Sequence, residues 1–182
     1  MSDLRPAVFL DKDGTLVEDV PYNVDPARMR LGAGAAEGVA SLHRGGFLLV
    51  VVSNQPGVAR GLFPESALAA VWARLAKLLA PVPLAGCYHC PHGPTDGCEC
   101  RKPEPGLLRR AAAELGIDLG RSWMVGDILN DVEAGRRAGC RTVLIDNGNE
   151  TEWVPGPNRQ PHHTVRDLAE AARVIVQGEP GA

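Results

Sequence analysis

Residues 7–15, Ala7-Val8-Phe9-Leu10-Asp11-Lys12-Asp13-Gly14-Thr15, decide the fold. A short apolar run that breaks directly into carboxylates reads as a strand buried on both faces, the kind found in parallel sheets. Asp11 and Asp13 then sit at its carboxyl end, and Gly14 lets the chain leave sharply. Working outward, the same reading gives strands over 47–53, 84–89, 123–125 and 142–145. Between them, Leu68, Val71, Trp72, Leu75, Leu78 and Leu79 recur at helical steps, predicting an amphipathic helix over 64–80. Leu107, Leu108, Ala111, Ala112 and Leu115 do the same, and further helices are expected over 35–44, 130–138 and 167–176, the last with Asp167 as N-cap. Strands alternating with helices predict an α/β fold, a doubly wound, Rossmann-like and mostly parallel sheet with helices on both faces.

The chain of 182 residues fits a single domain, 1–182, with a Gly-, Asn- and Pro-rich surface loop over 146–161 and a tail expected to fray from about residue 177. Hydrophobic residues make up 45% and charged residues 23%, a globular balance rather than a disordered one. A net charge of -3 and 4% aromatic residues give neither the basic footprint nor the stacking platforms of a nucleic-acid binder. No apolar run approaches the roughly 20 residues of a membrane span, and the N-terminus shows no basic-then-apolar signal. The expectation is a cytoplasmic, monomeric protein with no nucleic-acid or membrane partner, acting on a small anionic molecule.

Asp11 follows the first strand, Ser53 ends the second, and Asp127, in VGDILND, follows the fourth. Ligands of doubly wound folds bind beyond the carboxyl ends of strands, so these residues are expected to share one cleft. Several carboxylates in one cleft repel one another, which calls for a cation, and an all-oxygen set suits Mg²⁺. A second metal set lies in residues 87–100, where Cys90, His92, Cys98 and Cys100 offer the complete tetrahedral shell of a structural zinc. Cys87 and His89 form a competing pair with the same spacing. Cys140, beside a strand, reads as a small buried apolar residue.

DKDGT, VVVSNQ, CRKP and VGDILND, in this order, resemble the four motifs of the haloacid dehalogenase superfamily. The resemblance implies a Mg²⁺-dependent phosphatase with Asp11 as nucleophile and Asp13 as general acid-base. It further implies Ser53 and Lys102 as phosphoryl ligands, Mg²⁺ held by Asp11, Asp127 and the main-chain carbonyl of Asp13, and Asp131 as a supporting or helix-capping residue. The CPH…CxCRKP arrangement is similar to the zinc loop of the branch containing histidinol phosphatases and heptose-bisphosphate phosphatases. That similarity selects Cys90 and His92 over Cys87 and His89 and places a zinc loop over 90–100.

Many relatives carry an inserted cap, for which this chain has no room, so specificity should come from loops. Asp19, Tyr22 and Asn23 in the flap, Asn54, Gln55 and Arg60 after the second strand, and Arg101 are the expected substrate contacts. SNQPGVARG is similar to the NQ(S)GIARG stretch of D-glycero-D-manno-heptose 1,7-bisphosphate 7-phosphatases, although Pro56 stands where Ser is frequent and Ser53 where Thr is. Additional arginines suit a sugar bisphosphate, because Arg pairs with phosphate through two parallel hydrogen bonds. Histidinol phosphate or another small phosphorylated metabolite is the alternative substrate. A phospho-accepting receiver module is the non-enzymatic alternative. Asp13 argues against it, since an acid-base two residues from the nucleophile promotes turnover.

Overall fold

A computed structural model describes residues 3–178. Strands β1 (Ala7–Leu10), β2 (Leu48–Asn54), β3 (Gly86–Cys90), β4 (Trp123–Gly126), β5 (Arg141–Ile145) and β6 (His163–Val165) form one sheet in the order β3-β2-β1-β4-β5-β6. Every pairing is parallel. The helices are α1 (Ala35–Arg44), α2 (Leu68–Leu79), α3 (Gly106–Leu115), α4 (Leu129–Ala138) and α5 (Leu168–Gln177).

Strand alternation divides the core in two. Val8, Leu10, Leu49, Val51, Trp123, Val125, Val143 and Ile145 face α1, α2 and α5. Ala7, Phe9, Val50, Val52 and Met124 face α3 and α4 through Leu107, Leu108, Ala111 and Ala134. Both faces of the central strands are dry, which is why their sequences are continuously apolar. On the first face α1 packs on α5 closely enough that a Cβ on Gly38 would lie 2.6 Å from the Leu168 carbonyl oxygen.

The doubly wound, mostly parallel expectation holds. Most boundaries move by a residue, and two elements shift further while one strand is new. The helix expected over 64–80 begins as a 3₁₀ turn, Glu65–Ala67, and becomes α-helical only at Leu68. The strand expected over 84–89 starts at Gly86, beyond the turn made by Pro81 and Pro83, and runs on to Cys90. β6 was not anticipated, because His163 and Thr164 are exposed and only Val165 is buried. The expected tail beyond Gly178 lies outside the described residues.

The strand order places the topological switch between β1 and β4, which pair through Val8 with Trp123, Phe9 with Met124 and Leu10 with Val125. The chain leaves β2 and β3 on one side of β1 and β4, β5 and β6 on the other. A crevice therefore opens beyond the carboxyl ends of β1 and β4, where Asp11 and Asp127 stand.

Candidate active site and metal centre

Asp11 begins where β1 ends, and its amide donates to the Val125 carbonyl across the switch point at 3.0 Å. The chain then turns through Gly14, whose φ of +84° favours glycine, and amides of residues 15–17 return to the Lys12 carbonyl. From the third position of α4, Asp131 accepts the amides of Asp127 and Ile128 at 3.2 and 3.3 Å, so it caps the helix that starts beside Asp127. One oxygen from each of Asp11, Asp127 and Asp131 falls within 4.8 Å of the others. These residues, with Asp13, Asp19, Asn54, Lys102 and Asn149, line a cavity of about 190 Å³.

Lys102 is 2% exposed and sits at the centre of this charge. Its Nζ lies 2.7 Å from Asp11 Oδ1 and 2.7 Å from Asp131 Oδ1, and it donates to the Val52 carbonyl at 2.9 Å. Burial works against the ammonium, but Asp11 and Asp131 outweigh it and hold its pKa above the ordinary lysine value. Asn54 fixes the Lys102 backbone from both sides, donating to its carbonyl and accepting from its amide, each at 3.0 Å. Asn54 thus positions Lys102 as well as lining the cavity.

Asp13 pairs with buried Lys12 at 3.1 Å and accepts from Gln55 Nε2 at 3.3 Å, and the same amide donates to Ser53 Oγ at 2.8 Å. Burial pushes the Asp13 carboxyl up to about 6 against the pull of Lys12. Asp127 is pushed up to about 9, first by burial and then by Asp11 and Asp131, while Asn149 pulls the other way. Such crowding is the electrostatic demand a cation would meet. The oxygens of Asp11 and Asp127 fit a hard divalent ion such as Mg²⁺, and Lys102 already engages Asp131.

The second metal set is contiguous. Cys90 Sγ lies 3.4 Å from His92 Nδ1 and 3.6 Å from Cys98 Sγ, and His92 Nδ1 lies 3.3 Å from Cys100 Sγ. A tetrahedron with zinc–sulfur bonds of about 2.3 Å has edges of about 3.8 Å, so the four atoms are near the spacing zinc requires. Burial raises the Cys98 thiol, but the backbone amides of Arg101 and Cys100 win and lower it to about 7, favouring the thiolate that zinc binds. The competing pair is engaged elsewhere. His89 stacks on Trp72 and pairs with Glu65 at 2.7 Å, and Cys87, its thiol pushed up to about 11 by burial, packs against the opposite core. Cys140 is buried, as expected.

The structure thus gathers Asp11, Asp13, Asp19, Asn54, Lys102, Asp127 and Asp131 around one cavity, with Ser53 tied in through Gln55. Tyr22, Arg60 and Arg101 are outside that lining. Arg60 lies over the Tyr22 ring and donates to its hydroxyl, joining the flap to the loop after β2. Arg101 donates to the His92 carbonyl at 3.3 Å and lines an adjoining cavity of about 340 Å³ that also touches Lys102. Asn23 bonds back to Asp25 rather than towards the cavity. Lys12 and Asn149 were not anticipated. Lys12 reads as an ordinary spacer between two aspartates, and Asn149 lies in the segment expected to be only a surface loop.

A family model described as HAD-hyrolase-like matches residues 99–171. The D-glycero-beta-D-manno-heptose-1,7-bisphosphate 7-phosphatase of Pseudomonas aeruginosa is 35% identical over 176 residues, which cover 95% of this chain and 99% of that protein. The chain belongs to the haloacid-dehalogenase-like phosphatases. Among solved members of this family, the D,D-heptose 1,7-bisphosphate phosphatase of B. bronchiseptica, complexed with magnesium and phosphate, superposes with a TM-score of 0.78 at 31% identity, covering 95% of this chain and 99% of that one. A putative HAD-like phosphatase from Mesorhizobium loti superposes with a TM-score of 0.79 at 36% identity, covering 97% and 88%.

Proposed function

We propose that this phosphatase hydrolyses D-glycero-D-manno-heptose 1,7-bisphosphate at its 7-phosphate through a phosphorylated Asp11. The observation that carries the chemistry is the convergence of Asp11, Asp13, Asp127 and Lys102 on one small cavity at the switch point. The preference among sugar phosphates rests on the relatives of that activity, which match nearly the whole chain.

Asp11 is the nucleophile: its carboxylate oxygen forms a bond to phosphorus as the bond from phosphorus to the sugar oxygen breaks. Asp13, raised to about 6, still carries its proton in a useful fraction of molecules near neutrality and gives it to the departing alkoxide. In the second step Asp13 takes a proton from water, whose oxygen attacks phosphorus. The bond from phosphorus to Asp11 then breaks, releasing inorganic phosphate and restoring the carboxylate. Lys102 Nζ, fixed beside Asp11, offers its positive charge where the phosphoryl oxygens gather negative charge, with the Ser53 hydroxyl as a further donor. Asp11, Asp127 and the Asp13 carbonyl would hold Mg²⁺, which would supply Lewis-acid charge where one anion must approach another.

Cys90, His92, Cys98 and Cys100 would hold a structural zinc whose purpose is order. The stretch between Pro91 and Glu99 contains two glycines and two prolines and builds no core of its own. Fixing Cys100 fixes Arg101 and Lys102, which follow it directly.

The test is a comparison of kcat/KM on the heptose bisphosphate, histidinol phosphate and a panel of phosphorylated sugars. The expected result is a wide margin for the heptose bisphosphate. Equal rates, or a preference for histidinol phosphate, would overturn the substrate and leave the phosphatase chemistry standing.

A further inference from the structure

The loop that follows β5 makes three contacts with the catalytic machinery, and none of them was needed to build the chemistry above. Asn149 Nδ2 donates to Asp127 Oδ2 at 2.7 Å. Asn147 Nδ2 donates to the Gly14 carbonyl at 2.8 Å, and its own Oδ1 accepts the Asn149 amide at 3.2 Å, locking the two asparagines into one unit. Glu150 then accepts the Leu129 amide at 2.7 Å, staking the loop to the start of α4. The loop therefore holds both the turn after Asp13 and the helix entry after Asp127.

The packing around this unit is tight. A Cβ on Gly14 would lie 2.1 Å from Asp127 Oδ2 and 2.5 Å from Asn149 Nδ2. The glycine of DKDGT is thus required twice, by its φ of +84° and because the Asp127–Asn149 hydrogen bond passes where any side chain would be.

We infer that Asn149, locked by Asn147, is a positioning residue that occupies one oxygen of Asp127 and so sets which oxygen is given to the divalent cation. The inference rests on the phosphatase reading, with Asp127 as a cation ligand. A carboxylate that must place one oxygen in the strict octahedral shell of Mg²⁺ gains if its other oxygen is already held. Partners that orient metal ligands in this way change metal affinity or activity by about 10- to 100-fold when removed. Asn149 touches no reacting atom in this scheme, and its whole effect runs through Asp127.

The experiment measures Mg²⁺ binding to the purified full-length protein by titration calorimetry, alongside turnover of p-nitrophenyl phosphate as a function of Mg²⁺. Asn149→Ala should weaken Mg²⁺ binding about 10- to 100-fold. The Mg²⁺ concentration for half-maximal turnover should rise in parallel, while KM at saturating Mg²⁺, zinc content and the melting temperature in Mg²⁺-free buffer stay close to the parent. Asn147→Ala, which leaves the Asp127 hydrogen bond in place but unlocks the loop, should shift the same midpoint less. Unchanged Mg²⁺ affinity in Asn149→Ala would overturn the inference, as would lost activity with a lowered melting temperature and an unmoved Mg²⁺ midpoint. Calorimetry needs no substrate, so this result stands apart from the fate of the heptose assignment. A parent protein that binds Mg²⁺ but turns over no phosphate ester would instead sink the proposed function.

Discussion

The two candidate metal clusters solve opposite problems. The carboxylate site at the switch point draws Asp11 from the end of β1, Lys102 from the segment before α3, Asp127 from the end of β4 and Asn149 from the loop after β5, so it exists only when the sheet is assembled. The thiolate site is spelled within residues 90–100 and needs the sheet only to anchor Cys90 at the end of β3. The first cluster crowds like charges, to the point that burial with Asp11 and Asp131 pushes Asp127 up to about 9. That frustration is useful, because a hard cation would relieve it and, with Lys102, leave positive charge for a phosphate to meet. The second cluster leaves no position open, and a metal there would close a glycine- and proline-rich loop that reaches the α3 core through Cys98 and Cys100.

The largest test of the contrast is at Asp11. Asp11→Asn should cost on the order of 10⁴-fold or more in turnover of p-nitrophenyl phosphate, the scale of losing a group that acts as part of a unit. The fold should survive, because Lys102 keeps Asp131 and one like charge leaves a crowded cluster. Retention of more than a few per cent of activity would refute the covalent route. Next comes selective metal depletion. Dialysis into Mg²⁺-free buffer containing citrate should abolish turnover, added Mg²⁺ should restore it, and elemental analysis should find about one zinc per chain throughout, since thiolates prefer zinc and carboxylates magnesium. Simultaneous loss of both metals would mean that the two clusters are not the separate chemistries their donors indicate.

Cys100→Ser follows, because it tests whether the thiolate cluster serves the carboxylate one. Zinc should be lost and activity should drop about 100-fold, the cost of misplacing Lys102 by about 1 Å at the transition state. Far-ultraviolet circular dichroism should stay near the parent, since β1, β2 and β4 have their own core. Full activity without zinc would detach the loop from catalysis.

How much could be read beforehand follows the same contrast. Apolar runs such as Ala7–Leu10 and Leu48–Asn54 announce strands because both faces are buried, and the polar residues that end them, Asp11 after the first and Ser53 with Asn54 in the second, announce the site. β6 was silent because an edge strand of three residues with one buried side chain has no periodicity to read. Lys12 was silent because nothing in a DxD pattern says that its middle residue is buried against Asp13 and lies beside Trp72, 5.7 Å from the ring centroid. Asn149 was hidden by composition, since a run of Gly and Asn reads as a loop whether or not it bends back over a neighbouring strand end. A weak signal existed in its place immediately after β5, at the same carboxyl edge as Asp11 and Asp127.

The smallest expected effect bears on the register of the zinc set, where Cys87–His89 and Cys90–His92 share one spacing. A strand sends alternate side chains to opposite faces, so Cys87 and Cys90, three apart in β3, separate. Cys87 packs with the core beneath α2, and His89 stacks on Trp72 of that helix. Cys90 packs with Leu107 and Leu108 of α3, together with Cys98 and Cys100. Bringing Cys87 to the position of Cys90 would require slipping β3 by three residues, an odd shift that would turn Tyr88 and Cys90 out of their core. Cys87→Ser should therefore retain one zinc per chain and turn over p-nitrophenyl phosphate within about twofold of the parent. It should lose only about 1 kcal/mol of stability, the cost of placing a hydroxyl among partly buried apolar neighbours. Cys87→Ser protein that emerges without zinc would show that β3 takes the slipped register, and the separation of the two faces would have to be redrawn.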